Sequence, residues 1–316
     1  MQMKLNGIFG LLVLTLLIWS CKKDDGATNP IVVPPQTLTE TAVEDDAEIK
    51  AFLQTHFYND EEFANPPIDF DFKIKLDTIA GDNSGKTPLF DQVQNVSINV
   101  LSSDESVGLV PHTLYYLEAR PGAIEESPTI GDNAFVQYEG SLLNGLTFDA
   151  SSTPTIFNLS QVVQGYGNGV TKFKAGNGPV ENGDGTVSYE GYGIGLIIMP
   201  SGLGYFSSPP QGSPIPSYSP LIFKVDMLSF EKDTDLDDDG IPSILEDINM
   251  DGNLNNDNTD EDGEPFNVFL PDYTDSDDDG DGKPTRDEIS DEQGNIIIPY
   301  PDSDGDGIAD YLDADS

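Results

Sequence analysis

Over 316 residues the chain sets 57 Asp and Glu against 14 Lys and Arg, a formal net charge of −43 at neutral pH. Nucleic acid and anionic lipid surfaces are excluded as partners, because neutralising phosphate needs Lys and Arg in number. Cys21 is the only cysteine, which excludes an intrachain disulfide, so the fold is stapled by something else.

Residues 1–20 read as a signal segment: Lys4 precedes an apolar run from Ile8 to Trp19, and the small Ser20 stands just before Cys21. Those apolar residues rise about 18 Å as a helix against a hydrocarbon core of about 30 Å, too short for a permanent span. With Ile18 and Ser20 upstream, Cys21 resembles the lipidated cysteine of bacterial lipoproteins. Lys22-Lys23-Asp24-Asp25 resembles the signal that carries such proteins to the cell surface. These resemblances imply an outer-membrane lipoprotein, surface-exposed or periplasmic, held to the membrane through lipid on Cys21. The alternative is an ordinary cleaved signal with an incidental thiol.

Residues 21–41 include Pro30, Pro34 and Pro35 and lack helical or strand period, which suits a flexible linker. Residues 42–110 form an N-terminal helix and strand region. Ile49, Phe52, Leu53 and Phe57 fall at helical spacing behind Glu44–Asp46 and predict an amphipathic helix over 44–58. Ile68, Phe70, Phe72, Ile74 and Leu76 alternate with polar residues and predict a half-buried strand; Val96, Ile98 and Val100 repeat that period. Further strands are predicted at 113–119, 134–138, 193–199 and 221–230 between Gly and Pro turns. The fold class is α+β, a mainly antiparallel sheet with few helices.

Ordered landmarks across 111–232 resemble the FKBP-type peptidyl-prolyl isomerases. Val136-Gln137-Tyr138-Glu139-Gly140 matches V-x-Y-x-G, and Gly145-Leu146-Thr147-Phe148-Asp149-Ala150-Ser151 matches G-x-x-F-D-S-S. Phe157-Asn158-Leu159, Val162-Val163-Gln164-Gly165-Tyr166 and Met199-Pro200-Ser201-Gly202-Leu203-Gly204-Tyr205 follow in family order, closed by Ile215-Pro216 and Leu221–Val225. The chain departs from the family in a longer loop between Ala175 and Gly193, in Phe206, and in Tyr166 where Trp is commonest.

The resemblance implies an FKBP-like antiparallel sheet with a short helix and a pocket formed by Tyr138, Phe148, Val163, Tyr166 and Phe223. Tyr166 would floor it, Tyr205 and Ile215 would sit on its rim, Asp149 would accept a hydrogen bond from the peptide or from Tyr138, and the Ile215 N–H would hold a substrate carbonyl. Isomerising an X-Pro bond breaks its amide resonance across a barrier of about 18–20 kcal/mol. No nucleophile, metal or cofactor is required: the twisted amide is less polar than the planar one, so a dry apolar pocket favours it. Proline-containing polypeptides are the implied partners, and exported proteins the implied substrates. His56 and His112 stand alone and carry no function in this reading.

From 233 to 316 the acid becomes periodic. Windows 235–246, 277–288 and 302–313 fit the calcium-loop pattern D-x-D-x-D-G-x5-[DE], with oxygen ligands at places 1, 3, 5, 7, 9 and 12 and glycine at place 6. The candidate ligands are Asp235, Asp237, Asp239, Ile241 and Glu246; Asp277, Asp279, Asp281, Lys283 and Glu288; and Asp302, Asp304, Asp306, Ile308, Asp310 and Asp313. Residues 235 and 277 win over 233 and 275 as starts, because the earlier registers misplace Asp238 and Arg286. Asp247-x-Asn249-x-Asp251-Gly252 and Asn258-x-Asp260-x-Asp262-Gly263 are partial matches, the second with Phe269 at its last place. Few helices flank these loops, so an irregular calcium-loop array resembling thrombospondin type 3 repeats is expected rather than paired EF-hands; the alternative is a solvated, disordered acidic tail. Two functions remain open: an isomerase of exported proteins, or an adhesion module in which the FKBP-like region grips a chain without turnover and the calcium array binds an unknown protein partner.

Overall fold

The computed structural model describes residues 34–261 and 269–316. The signal segment, Cys21 and Asp262-Gly263 lie outside the described residues. In chain order the elements are α1 (Leu38–Thr55), β1 (His56–Tyr58), α2 (Asp60–Ala64), β2 (Leu76–Thr78), β3 (Gln94–Leu101), β4 (Leu109–Arg120), β5 (Asn133–Leu142), β6 (Thr147–Asn158), α3 (Gln164–Val170), β7 (Asn177–Glu181), β8 (Val187–Glu190), β9 (Gly193–Met199), β10 (Leu221–Glu231) and α4 (Thr285–Glu288).

Six strands form one antiparallel sheet in the order β3-β4-β9-β10-β5-β6. Its central strand β9 is buried at every position, because both faces are covered. Ile197 and Met199 face a core shared with Leu114, Tyr166, Val170 and Phe223 beneath α3. Ile194, Leu196 and Ile198 face the opposite way, against Ile49, Phe52 and Leu53 of α1. Period two thus survives in a strand that reads as a continuous apolar run. Gly195 is required here, since a Cβ would lie 2.1 Å from the Phe173 ring.

The structure corrects three sequence expectations. The helix predicted over 44–58 spans Leu38–Thr55, so the linker expected to reach residue 41 is helical at its end. Its start is fixed by a capping box that apolar spacing does not report: Glu40 N–H donates to Thr37 Oγ1, and Thr37 N–H to the Glu40 carboxylate. At its far end His56–Tyr58 leaves the helix to pair with β2.

The strand predicted from Ile68 to Leu76 does not form; only Leu76–Thr78 is extended. Phe72 takes φ +53°, which ends any extended run, and Ile68 is fully exposed. The aromatics have a different use: Phe70 and Phe72 pack on Phe63 and on each other, with centroids 4.8–6.5 Å apart. Arg120 then lies between the Phe72 and Tyr192 rings, 4.5 and 4.4 Å from their centroids.

The long loop between Ala175 and Gly193 holds an exposed hairpin, β7–β8. Strand β6 escaped the period rule because it is an edge strand with two register shifts and no buried position. After β10 the chain is irregular, with short 3-10 turns and α4 as its helical pieces among the described residues.

Candidate active site and acidic loops

An open cavity of about 310 Å³ lies between β5, β6, α3 and β10, lined by Tyr138, Asp149, Phe157, Gln161, Val162, Val163, Tyr166, Tyr205 and Phe223. Its aromatic rings meet edge to face, the arrangement their quadrupoles favour. Tyr166 is central, with centroids 4.9 Å from Phe223, 5.8 Å from Phe157 and 6.3 Å from Tyr138. Helix α3 presents Tyr166 because Gly165 and Gly169 bring its backbone against Met199 and Ile197, where a Cβ would come within 2.7 and 2.6 Å.

Burial pushes the Tyr166 phenol far above its ordinary range, with Tyr138 adding to the effect, and its hydroxyl is buried without a hydrogen-bond partner. The Tyr138 phenol is also raised, by burial and then by Asp149. Both stay protonated at physiological pH, and the one carboxyl group in the lining is that of Asp149, at its exposed edge. Such a cavity can exclude water and bind a small apolar ring; it holds no constellation for nucleophilic chemistry.

Six of the eight residues expected from sequence line this cavity: Tyr138, Asp149, Val163, Tyr166, Tyr205 and Phe223. Phe148 stands behind the lining, edge-on to Phe223 at 5.6 Å, where Gly140 leaves room; a Cβ there would come within 2.6 Å of the Phe148 ring. Ile215 is buried in the core instead of lining the cavity, and its N–H, expected to hold a substrate carbonyl, donates to Ser213 Oγ at 3.1 Å. Of the two roles open to Asp149, the structure shows the second: Tyr138 OH donates to its Oδ2 at 2.7 Å. Phe157, Gln161 and Val162 are additional lining residues. Phe157 and Val162 sit in the matched motifs; Gln161 gives no signal.

The acidic loops share a local geometry. The place-6 glycines Gly240, Gly282 and Gly307 have φ of 94–108°, open to glycine at little cost. Gly240 N–H donates to Asp235, and Gly307 N–H to Asp302, at 2.9 and 3.1 Å. The place-7 amides of Ile241, Lys283 and Ile308 donate to Asp239, Asp281 and Asp306 at 2.7–2.8 Å. The partial loop repeats both bonds, from Gly252 to Asp247 and from Asn253 to Asp251.

Among the described residues four carboxylate triads bring ligand oxygens within 4.8 Å: Asp235–Asp237–Asp239, Asp277–Asp279–Asp281, Asp302–Asp304–Asp306 and Asp239–Glu246–Asp278. The last crosses from one loop to the next, so Glu246 meets Asp278, a residue that reading each loop alone does not find. Asp239, Glu246 and Asp278 are 1–2% exposed, and both oxygens of Glu246 and Asp278 lack hydrogen-bond partners. Burial, then neighbouring carboxylates, pushes Glu246 up to about 10 and Asp278 up to about 9. Glu288 is raised to about 7 by burial and then Asp279, with Lys283 Nζ 3.6 Å away. In the third loop Asp310 accepts Ser303 N–H at 2.6 Å, so one of its oxygens is already engaged. Buried, unpartnered oxygens at this spacing fit a hard divalent cation such as calcium, which takes six to eight oxygens at about 2.3–2.6 Å.

No family description matches the chain. It is 34% identical over 112 residues to "Peptidyl-prolyl cis-trans isomerase Mip" of Coxiella burnetii, a match over 34% of this chain and 40% of that relative's length. It is 32% identical over 110 residues to "FK506-binding protein 1" of Dictyostelium discoideum, covering 33% of this chain and 86% of the relative. Among solved structures, FkpA from Escherichia coli superposes with a TM-score of 0.34 at 22% identity, over 61% of this chain and 62% of that one. A prolyl isomerase from Pseudomonas syringae pv. tomato gives 0.33 at 17% identity, over 63% and 99%.

Proposed function

The chain belongs to the FKBP-type family of peptidyl-prolyl cis-trans isomerases, and from that membership we propose that it catalyses rotation about X-Pro bonds in the cavity floored by Tyr166. The observation that carries this reading is the set of edge-to-face rings centred on Tyr166, with Tyr138, Phe157 and Phe223, lining a space large enough for a proline side chain. The pyrrolidine ring stacks on Tyr166, water leaves, and the amide loses its best-solvated planar state. Rotation follows without any bond made or broken, because the apolar walls favour the less polar twisted amide. Tyr138, tied to Asp149, holds one wall at fixed orientation.

The substrates are exported proteins, in keeping with the signal segment and Cys21, which anchors the chain by lipid to the outer membrane. The acidic loops hold calcium through Asp235, Asp237, Asp239, the Ile241 carbonyl, Glu246 and Asp278, through Asp277, Asp279, Asp281, the Lys283 carbonyl and Glu288, and through Asp302, Asp304, Asp306, the Ile308 carbonyl, Asp310 and Asp313. Bound calcium supplies positive charge that orders these segments. Exchange NMR of a Leu-Pro-Phe peptide with residues 34–316 tests the catalytic reading. Cross-peaks between cis and trans signals faster than in buffer support it; peptide binding without faster exchange sinks it and leaves a gripping module.

A further inference from the structure

The segment 201–218 leaves β9, places Tyr205 on the cavity wall and returns to β10. Regular structure in it is limited to a 3-10 turn at Ser201–Leu203, and it is closed by its own backbone. Phe206 N–H donates to Ser201 O at 2.9 Å, Tyr218 N–H to Phe206 O at 2.7 Å, and the Phe206 and Tyr218 rings meet edge to face at 5.0 Å. Both residues have positive φ, +47° and +60°, a backbone that persists only where surroundings over-determine it.

Those surroundings come from α1 and the residues just before it, outside the part of the chain that resembles the family, together with His112 of β4. Asp45, 3% exposed, accepts Ser201 N–H at 2.7 Å and Ser201 Oγ–H at 2.6 Å on one carboxylate oxygen. At the other end of the segment Gln36 N–H donates to Tyr218 OH at 3.2 Å. Between them the bare Gly202 is overlain by His112 and Leu38; a Cβ there would lie 2.2 Å from His112 Nε2 and 3.0 Å from Leu38 Cδ1. Burying a carboxylate costs free energy unless charge-assisted hydrogen bonds offset it. Among the described residues no Lys or Arg pairs with Asp45: its hydrogen-bond partner is Ser201, and its charged neighbours Glu48 and Glu44 repel it. A small apolar residue would cover β9 as well, so the carboxylate serves its bond to the rim.

We propose that Asp45 is a positioning residue for prolyl isomerisation: by fixing Ser201 it holds Tyr205 against the residues flanking the proline. The proposal rests on the isomerase reading. Because Tyr166 and Phe223 are positioned independently, a loosened rim weakens substrate binding and leaves rotation on the floor nearly unchanged.

The test uses the full described chain, 34–316, with Asp45→Ala and Asp45→Asn, a Leu-Pro-Phe peptide, and NMR of the Tyr205 ring. Asp45→Ala is expected to raise KM about tenfold, the loss of one charge-assisted contact, with kcat within about twofold and the Tyr205 signals displaced. Asp45→Asn keeps an accepting oxygen and recovers most of the loss. Unchanged KM and Tyr205 signals in Asp45→Ala overturn the proposal, as does a fall in kcat that tracks the unfolded fraction. Should Asp45→Ala fail to fold, Ser201→Ala removes one of the two bonds; a KM rise of about threefold supports the proposal, and none overturns it. If the unaltered chain shows no turnover, the isomerase reading fails separately, and peptide Kd decides the positioning role: weakened in Asp45→Ala it stands, unchanged it falls.

Discussion

Tyr138 donates its phenolic hydrogen to Asp149 at 2.7 Å across the β5–β6 pair, although the ladder sets Tyr138 opposite Ser151 and Asp149 opposite Gly140. The bond is diagonal, between same-face neighbours of the regular ladder over 138–140, and the ring of Tyr138 lies edge-on to Phe157 and Tyr166. Tyr138→Phe keeps the ring and loses the tether, so kcat/KM is expected to fall about tenfold, the lower end for a hydrogen bond to a charged group. Asp149→Asn retains an acceptor and is expected to cost about twofold. A larger loss in Asp149→Asn than in Tyr138→Phe would mean that the carboxylate meets the peptide directly.

Tyr166 carries a buried hydroxyl with no partner. Tyr166→Phe removes a desolvated polar group while keeping the floor, and urea denaturation is expected to show a gain of about 1 kcal/mol with activity retained. Tyr166→Ala opens a hole among three remaining rings, Tyr138, Phe157 and Phe223, and is expected to cost about 3–5 kcal/mol. A loss of stability in Tyr166→Phe would show that the hydroxyl is satisfied in solution.

Burial pushes Asp45 up to about 6, more than its hydrogen bonds to Ser201 bring it down. With the folded value above the unfolded one, the unfolded chain releases this proton first as pH rises from about 4. Stability therefore declines through about pH 4–6 and levels off above it. Asp45→Asn has no such proton, so the difference in urea midpoint between the two chains should change across that window and be flat above pH 7. A constant difference would place the folded value near that of a free carboxylate.

Asp278 faces Asp239 and Glu246 within 4.8 Å, with no cation among these residues to separate them except Arg286, which lowers Asp239 by its charge. In chelator Asp278→Asn spares the fold the cost of protonating a buried carboxylate and should raise the melting temperature by a few degrees at neutral pH; in calcium it removes a ligand and should lower it. Scanning calorimetry in both buffers reads the sign. The same sign in both would show that no cation bridges the two loops.

Much of this was legible in residues alone, where side-chain chemistry and local spacing decide. Period two located β3, apolar runs between Gly and Pro turns located β9 and β10, and the family resemblance named six of the residues lining the cavity. The failures have common causes. Ile68–Leu76 alternates like a strand, yet its aromatics pack on Phe63 and Arg120 rather than on a sheet, and Phe72 turns left-handed. The true start of α1 depends on Thr37 and Glu40, polar residues that an apolar count passes over. Asp278 is set by a contact between distant segments, since it joins a neighbouring loop, whereas Ile215 turns its amide to Ser213, two residues earlier, a local bond that the family motif does not carry. No window on one segment contains the Asp278 contact.

Leu254 and Tyr273 lie far along the acidic region, yet they are 0% and 4% exposed in the same apolar cluster as Ile130, Leu159 and Tyr166. Asn255 ties them in place, donating to Ser160 O at 2.9 Å and accepting from Tyr273 OH at 2.9 Å. The stretch that looks like a polyanionic appendage thus supplies two plugs to the core beneath the aromatic cavity. A fragment cut after Lys232, where the resemblance to the family stops, would carry every motif residue and leave an open socket beneath α3. The boundary of ancestry and the boundary of folding are therefore different places in this chain.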